Sequence, residues 1–414
     1  MAELKWVFKV CIPNTNRDYF DYYAELMEPS LGARVLVPFR KQTRMGVVIG
    51  KHMPENAHAN TKSITAIMDE KPLISGELLA LCLWVSSYYQ SPLSEVIPLA
   101  LPKKFRSDKD SALPICDYYQ LTMSGAEAHS LLTSHTPRQH ALIDYLVTQP
   151  TLLSKKNILQ AGFSPAQLEA LLIKGIVVKH VKSEKPLSLN APLGAPLPLN
   201  AEQTIAVETI CTDLQSYQCF LLQGVTGSGK TEVYLQVIAK VLAAGRQVLV
   251  LVPEIGLTPQ LLARFRKRFN EPMVVIHSNL NDTERQLAWL WAQEEAVKLV
   301  IGTRAAIFTP MPALGLIVVD EEHDTSLKQM EGVRYSARDT ALMRAHVRHI
   351  PIILGSATPS LESLHNCALN KYTLLRLSQK ALNSPPLHYQ ILDIRNQVLQ
   401  HGLASSTLAT IKEH

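Results

Sequence analysis

The feature that most constrains this 414-residue chain is a glycine-rich stretch near its middle, Gly224-Val-Thr-Gly-Ser-Gly-Lys-Thr231. It fits the phosphate-loop pattern G-x-x-x-x-G-K-[ST] at every position. The apolar run 219–223 before it predicts a buried strand, and the apolar spacing of residues 232–244 after it predicts a helix that ends at Gly245. Such a strand–loop–helix unit points backbone N–H groups at phosphate oxygens, so the stretch predicts a nucleotide-binding α/β domain.

The residue types of this loop indicate separate roles. Lys230 would reach the β- and γ-phosphates, and the Thr231 hydroxyl would ligate Mg²⁺. Upstream, Gln203 is a candidate for adenine recognition, because an amide offers a paired donor and acceptor. An ordinary glycine-rich turn is the alternative, and the matching flanks argue against it. The predicted ATP-binding residues are Gln203, Gly224, Val225, Thr226, Gly227, Ser228, Gly229, Lys230 and Thr231.

The composition is that of a globular protein, with 47% apolar and 19% charged residues. A formal net charge of +5 is compatible with nucleic-acid binding but is weak evidence for it. No apolar run is long enough to span a membrane, and the N-terminus lacks the pattern of a signal peptide. The six cysteines form no C-x-x-C pair, so no zinc site and no disulfide framework is expected in this chain. The economical interpretation is a reduced, cytoplasmic protein without membrane contact.

Patterning divides the chain into five segments. Residues 1–105 predict a small β-rich domain, and residues 106–182 contain three helical patterns followed by a short strand. That order is typical of a winged helix, although a small helical module for protein contacts is an open alternative. Residues 183–198 are proline-rich and predict a linker, residues 199–380 predict the α/β domain, and residues 381–414 remain.

The individual elements follow from local patterns. In the β-rich domain a basic turn, Arg40–Arg44, could be a solvated hairpin tip or a contact site. In the α/β domain the strands are apolar on both faces, as a buried parallel sheet requires, and a ligand is expected at their carboxyl ends. The predicted strands are 5–12, 33–39, 45–51, 63–68, 175–181, 219–223, 247–252, 273–276, 298–301, 314–319 and 350–354. The predicted helices are 76–89, 136–147, 154–160, 164–174, 232–244, 259–269 and 283–294.

Two polar motifs follow predicted strands of this sheet. Asp320 and Glu321 come directly after an apolar run, where Asp320 would hold Mg²⁺ and Glu321 would orient and deprotonate the attacking water. With Lys230 they are the predicted catalytic residues. Ser356 and Thr358 follow the strand 350–354 and are predicted to act as a sensor that bonds the catalytic acids or the phosphate.

Three loops offer contacts to a nucleic-acid backbone. The loops 252–259 and 301–304 provide amides, hydroxyls and a guanidinium, with Thr303 and Arg304 as the candidates in the second. Each loop taken singly could be purely structural. The basic stretch 328–338, which includes Arg334, lies between the acidic motif and the sensor motif and could couple DNA binding to hydrolysis.

Five segments, in their order and spacing, resemble the first motor lobe of superfamily 2 helicases. They are GVTGSGKTEVY, LVPEIGLTPQ, IGTRAAIF, DEEH and GSATPS. The residues of these segments are similar to those of the primosomal, replication-restart family. The resemblance implies a RecA-like lobe preceded by a winged helix and by a β-rich domain that binds the 3′ end of a nascent strand. It also implies that Phe20, Asp21, Tyr22, Gly32 and Lys62 form the 3′-end pocket. The residues themselves would suggest core positions for Phe20 and Tyr22.

The resemblance implies an ATP-dependent 3′→5′ DNA helicase that recognises stalled or abandoned forks and initiates primosome assembly in the bacterial nucleoid. ATP and Mg²⁺ would be its cofactors. Its partners would be forked DNA with a nascent 3′ end, single-stranded DNA, primosome proteins and single-stranded DNA-binding protein.

Members of this family also carry a second motor lobe, a zinc module and a C-terminal domain. The chain is therefore expected to stop after the first lobe, with residues 381–414 as hinge and start of the second lobe. The second lobe supplies an arginine worth about 10³–10⁵ in rate, so weak ATP binding and poor hydrolysis are expected. A fork-binding module without effective hydrolysis is the main alternative. A P-loop kinase would leave DEEH and GSATP unexplained.

Overall fold

The computed structural model describes most of the chain, and three sheets of three or more strands organise it. No helix within this described part is long and apolar enough to cross a membrane. Most of the predicted linker 183–198, and a large part of the predicted hinge segment 381–414, lie outside the described residues. The described residues are 6–24, 28–53, 61–107, 115–133, 135–148, 152–183, 186, 194–380, 391, 393–395, 399–400 and 402–413.

The first sheet belongs to the predicted β-rich domain. Its strands are β1 Val7–Cys11, β2 Phe20–Tyr23, β3 Arg34–Phe39, β4 Gln42–His52, β5 Lys62–Ser63 and β6 Ala66–Ile67, in the order β5-β2-β1-β4-β3-β6. The segment predicted as one strand, 63–68, is instead split. Its first half pairs with β2 and its second half with β3, so it joins the two sides of the sheet and curls it. Strand β2 was not predicted, because its run Phe-Asp-Tyr-Tyr is short and interrupted by an acid.

Two helices follow this sheet and pack against the α/β domain. They are α1 Gly76–Tyr88 and α2 Leu93–Ala100, followed by a short 3₁₀ turn at Lys103–Arg106. Ser75 begins α1 by accepting a hydrogen bond from the amide of Leu78 at 3.2 Å. The apolar side chains of both helices share one continuous core with the α/β domain. The β-rich domain therefore adjoins the α/β domain through these two helices.

The second module has a three-stranded antiparallel sheet in the order β8-β7-β9. Ser154 and Ser164 start two of its helices by accepting amide hydrogen bonds, as their positions predict. The predicted helices and strand are present, and the winged-helix assignment itself stays a prediction. The elements are β7 Ile115–Leu121, α3 Gly125–Ser130, α4 Pro137–Val147, β8 Leu153–Ser154, α5 Lys155–Gln160, α6 Pro165–Ile173 and β9 Val177–Ser183.

The third sheet is the parallel sheet that the apolar runs predict. Its elements are α7 Ala201–Cys211, β10 Cys219–Gly224, α8 Lys230–Ala243, β11 Gln247–Leu251, α9 Pro259–Arg268, β12 Met273–Ile276, α10 Asp282–Gln293, β13 Leu299–Gly302, β14 Leu314–Val319, α11 Ala337–Arg348, β15 Ile352–Ser356, α12 Leu361–Ala368 and β16 Thr373–Leu377. The seven strands lie in the order β12-β13-β11-β14-β15-β10-β16. Val248 and Val250 face one core while Leu249 and Leu251 face the other, which is why the runs are apolar throughout.

The edge strand β16 was not predicted. Two of its five residues are exposed, so it lacks the continuous apolar run of the central strands. Beyond it the described residues include β17 Leu399–Gln400, β18 Leu403–Ala404 and α13 Ser405–Glu413.

Candidate ATP and DNA sites

Three motifs that are far apart in sequence meet at one edge of the parallel sheet. Strands β14, β15 and β10 are neighbours and run in the same direction, so their carboxyl ends lie side by side. The phosphate loop follows β10, the acidic motif follows β14, and residues 357–359 follow β15. This edge is where a parallel α/β sheet binds its ligand.

The loop 224–229 has the backbone of a phosphate cradle. Gly227 and Gly229 both have φ near 83°, in the left-handed region that favours glycine. A Cβ at Gly224 would overlap the Ser228 hydroxyl and would crowd the Lys230 side chain at 3.2 Å. The Ser228 hydroxyl is buried and has no hydrogen-bond partner among the described residues. A narrow turn with an unpartnered buried hydroxyl fits a polyanionic ligand.

Lys230 and Thr231 open helix α8 directly after this turn. The Lys230 ammonium donates to the Gly224 carbonyl at 2.9 Å and lies 3.9 Å from the Glu321 carboxylate. Thr231 is half-buried in the first turn of the helix. The cation and the predicted water-orienting acid therefore share one site, and the helix N-terminus adds its positive end to it.

Gln203 is buried against the same loop. Its side-chain nitrogen donates to the Ser228 carbonyl at 2.8 Å, and its side-chain oxygen accepts from the Asn200 amide at 2.9 Å. Both ends of the amide are thus engaged, the nitrogen with the loop and the oxygen with the N-terminus of α7. The predicted contact with adenine stays a prediction.

Asp320 is partly buried and directly follows strand β14. The Tyr234 hydroxyl donates to its carboxylate at 3.0 Å. Burial, and next the neighbouring charge of Glu321, raise the pKa of Asp320 above its usual range. Burial and the Asp320 carboxylate raise the pKa of Tyr234 in turn. A carboxylate that is costly to ionise without a counter-charge fits a position that waits for a divalent cation.

Glu321 occupies a strained position at the turn. Its φ of 45° lies in the left-handed region, which is uncommon for a non-glycine residue. Its carboxylate lies 3.7 Å from the imidazole of His323 as well as near Lys230. Both Asp320 and Glu321 are partly buried, and the side chain of Glu321 is 39% exposed.

Glu322 was not singled out from the sequence, yet it is the most connected acid of the motif. It accepts from the Ser360 amide at 2.7 Å, from the Ser363 hydroxyl at 3.0 Å and from the Arg338 guanidinium at 3.0 Å. These bonds tie the acidic turn to the starts of α11 and α12. The sequence places three acids in a row and gives no signal as to which one points inward.

The predicted sensor residues contact His323 in this structure. The Ser356 hydroxyl lies 2.8 Å from Nδ1 of His323, and the Thr358 hydroxyl lies 3.3 Å from Nε2. Ser356 also accepts from the Thr358 amide at 3.0 Å. The expected contacts were with the catalytic acids or the phosphate, whereas here the imidazole stands between Glu321 and the sensor pair.

The predicted DNA contacts of the α/β domain differ in accessibility. Thr303 is buried, and its amide donates to the Ile276 carbonyl at 3.0 Å. Arg304 donates to the Ser326 carbonyl at 3.2 Å. Arg334 is exposed at the end of a hairpin that a bridge between Lys328 and Ser336 closes. Of the three side chains, Arg334 is the one that solvent can reach freely.

In the β-rich domain, four of the five predicted 3′-end residues line one cavity of about 440 Å³. They are Phe20, Asp21, Tyr22 and Lys62. Tyr22 is buried and its hydroxyl donates to the Pro38 carbonyl at 3.2 Å, which agrees with a core role. Gly32 does not line this cavity: it forms a turn with φ of 84°, and a Cβ there would overlap the Ile74 carbonyl.

Other groups of this cavity were not predicted. Arg17 and Arg40 contribute two guanidinium groups to its lining. Phe39 meets the Phe20 ring edge-on with 5.1 Å between centroids. The Asp21 carboxylate pairs with Nε2 of His52 at 3.1 Å. An aromatic ring, a carboxylate and nearby cations in one cavity suit a terminal nucleotide.

Comparison with known proteins finds two segments of the chain that match family models. Residues 9–102 match the 3'DNA-binding domain (3'BD) family, and residues 200–367 match the DEAD/DEAH box helicase family. The chain is 39% identical over 409 residues to Replication restart protein PriA of Haemophilus influenzae, covering 95% of this chain and 55% of that protein. It is 32% identical to the protein of the same name from Bacillus subtilis, covering 89% and 54%.

The chain thus spans about half the length of the curated relatives it matches. Among solved structures, it is similar to RecG bound to a three-way DNA junction, with 23% identity and a TM-score of 0.36 over 46% of this chain and 25% of that one. It is also similar to the Pyrococcus furiosus Hef helicase domain, with 24% identity and a TM-score of 0.32 over 44% and 38%.

Proposed function

We propose that the chain acts in an ATP-dependent DNA helicase of replication restart. It is similar to the replication restart proteins PriA, and its match to a 3′ DNA-binding domain precedes its match to a DEAD/DEAH box helicase domain. It would recognise stalled or abandoned forks through the 3′ end of the nascent strand, move 3′→5′ and initiate primosome assembly. Primosome proteins and single-stranded DNA-binding protein would be its partners at the bacterial nucleoid.

The observation that carries this proposal is the convergence of Lys230, Asp320 and Glu321 on one edge of the parallel sheet. Thr231 and Asp320 would hold Mg²⁺, which neutralises phosphate charge when it is bound with ATP. Lys230 would exchange its bond to the Gly224 carbonyl for the phosphates. Glu321 would then be free of its cation and able to orient water.

The cavity in the β-rich domain supports the fork-recognition part. The Phe20 ring could stack on a terminal base, and the Asp21 carboxylate could accept a hydrogen bond from a 3′-hydroxyl. Lys62, Arg17 and Arg40 provide cations for the adjoining phosphate.

The test is the ATPase rate with and without a forked DNA that carries a 3′-hydroxyl at its branch. We expect DNA-stimulated turnover that Lys230→Ala abolishes. Lys240→Ala, which changes an exposed lysine on the same helix, is the matched control and should leave the rate unchanged. A fork whose 3′ end is blocked by phosphate should stimulate less. Turnover that persists in Lys230→Ala would refute the assigned centre.

A second candidate is a fork-binding module that binds ATP without effective hydrolysis. The charged partners of Glu321 are Lys230 and His323, and no arginine of the described chain is among its ion pairs. An arginine that reaches the transferred phosphate is worth about 10³–10⁵ in rate. Salt-sensitive fork binding that requires the 3′-hydroxyl, without turnover, would favour this candidate.

A further inference from the structure

Helix α1 has an outer surface that nothing in the described chain covers. Its sequence is apolar nearly all round, which is typical of a helix with contacts on every face. Leu78 and Cys82 face the core, whereas on the other side Leu83 is 41% exposed and Tyr88 is 60% exposed. Trp84 stacks on Tyr88 with 4.7 Å between ring centroids and 17° between planes.

We propose that this surface, formed by Leu83, Trp84, Ser87 and Tyr88 and called here the α1 outer face, stacks the nucleobases next to the 3′-terminal nucleotide. The proposal rests on the proposed 3′-end site and extends it by naming the path of the strand. Every base has a π-face, so an aromatic platform binds successive bases with little sequence preference.

The α1 outer face is continuous with the cavity of about 440 Å³ that Phe20, Asp21 and Lys62 line, called here the 3′-end cavity. A second cavity, of about 770 Å³, is lined by Arg17 and Tyr19, which also line the 3′-end cavity. On its other side it is lined by Leu83 and Ser87 of the α1 outer face. A strand that leaves the 3′-end cavity past Arg17 therefore arrives at this face.

The second cavity is lined mainly by polar residues. Arg17 provides a cation and Ser87 a small hydroxyl for phosphodiester contacts, whereas the Ser86 hydroxyl donates to the Ser91 carbonyl and the Gln90 amide donates to the Ser87 carbonyl. Asp18 is the acidic residue among those lining it, and its carboxylate accepts from the Leu93 amide at the start of α2 at 2.8 Å. A polar channel beside an aromatic face matches a strand whose backbone and bases point in different directions.

The α1 outer face also leads toward the hairpin that carries Arg334. At the end of α1, the Tyr89 hydroxyl accepts from the Ser336 amide at 3.2 Å. Ser336 closes the hairpin that carries the exposed Arg334. From Leu83 to Tyr88 the helix rises about 7.5 Å, which is room for about two bases at a stacking distance of about 3.4 Å. The face thus joins the 3′-end cavity to the basic hairpin of the helicase domain.

The experiment measures binding of the full chain to two single-stranded probes with free 3′-hydroxyls, a dinucleotide and a hexanucleotide. Tyr88→Ala should weaken hexanucleotide binding about tenfold and leave dinucleotide binding unchanged. Tyr88→Phe should bind like the parent chain, because the ring is retained. Leu369→Ala, which truncates a side chain of similar exposure far along the sequence, is the control. Leu83→Glu should weaken only the hexanucleotide, by placing a negative charge on the same face.

Failure of this inference is distinct from failure of the proposed function. Phe20→Ala should weaken both probes if the 3′-end site is real. If Phe20→Ala weakens both probes while Tyr88→Ala and Leu83→Glu bind the hexanucleotide like the parent chain, base stacking on the α1 outer face is refuted and the 3′-end site stands. In that case the exposed apolar residues of the face would instead contact a protein partner. If the parent chain binds neither probe, both are refuted.

Discussion

Replacing Glu77 with alanine should destabilise the chain far more than is usual for a partly exposed residue in the first turn of a helix. The carboxylate of Glu77, at the start of α1, accepts from Nε of Arg344 at 2.8 Å and from Nη2 at 3.3 Å. Arg344 is fully buried in α11 and also donates to the Ile307 carbonyl at 2.7 Å. The pair joins α1, which follows the β-rich sheet, to the α/β domain.

The magnitude follows from which partner is left behind. Glu77→Ala leaves a guanidinium buried with one carbonyl and no counter-charge, and breaking a buried pair in this way costs about 3–5 kcal/mol. Arg344→Met leaves Glu77, whose side chain is 13% exposed and can turn to water. Its cost should be smaller, about 1–3 kcal/mol for the unpaired Ile307 carbonyl. The double variant should be no less stable than Glu77→Ala alone, because no buried charge remains.

Urea unfolding followed by circular dichroism tests the order of these variants. The expected order of unfolding free energy is parent chain, Arg344→Met, then Glu77→Ala. Glu208→Ala, an exposed glutamate on α7, is the control and should lie within about 0.5 kcal/mol of the parent. A Glu77→Ala variant as stable as this control, or more stable than Arg344→Met, would refute the reasoning.

Three further predictions concern the ATP site. Gly355→Ala should cost about 1–3 kcal/mol and lower ATPase activity, because the new Cβ would overlap the Tyr234 hydroxyl that bonds Asp320; thermal unfolding and turnover measure this. Asp320→Asn should raise the stability of the nucleotide-free protein at neutral pH. The folded pKa of Asp320 is raised by burial, so the native state binds the proton more tightly than the unfolded chain and stability falls as pH rises between the usual and the raised pKa. Melting temperatures of the two proteins that run parallel across that range would contradict it. Gln203→Ala should weaken binding of ATP and of inorganic tripolyphosphate alike, since the lost bond supports the Ser228 carbonyl; calorimetry that finds a loss for ATP only would indicate an adenine contact instead.

Local pattern was sufficient where the physical cause is local. The runs at β11 and β14 are apolar on both faces because both faces are buried, and the parallel sheet is confirmed. The helices predicted from residues 154 and 164 are present, and Ser154 and Ser164 cap them through bonds between residues three apart. The half-exposed strand β16 was missed because its pattern depends on its place at the sheet edge.

The candidate sites divide in the same way. The glycine turn and helix start of residues 224–231 could be predicted from sequence, since both are properties of neighbouring residues; their role as ATP ligands stays a prediction. The inward orientation of Glu322 and the position of Gly32 outside the 3′-end cavity could not be assigned, because each depends on contacts with distant segments. The resemblance to known helicases indicated candidate site residues but not the orientations of their side chains.

The order of residues along the chain already dictates a phosphate loop, buried strands and an acidic turn after one of them. The assembly of these parts into one site depends on strand order. Hydrogen bonding places β15 beside β10 and β14 beside β15, and this brings Asp320 and Ser356 to the same edge of the sheet as Lys230, from which they are 90 and 126 residues distant in sequence. Packing also merges α1 with the core of the α/β domain. Both outcomes rest on burial of apolar surface between segments that are remote in sequence, and the pattern of any one segment carries no record of its neighbour.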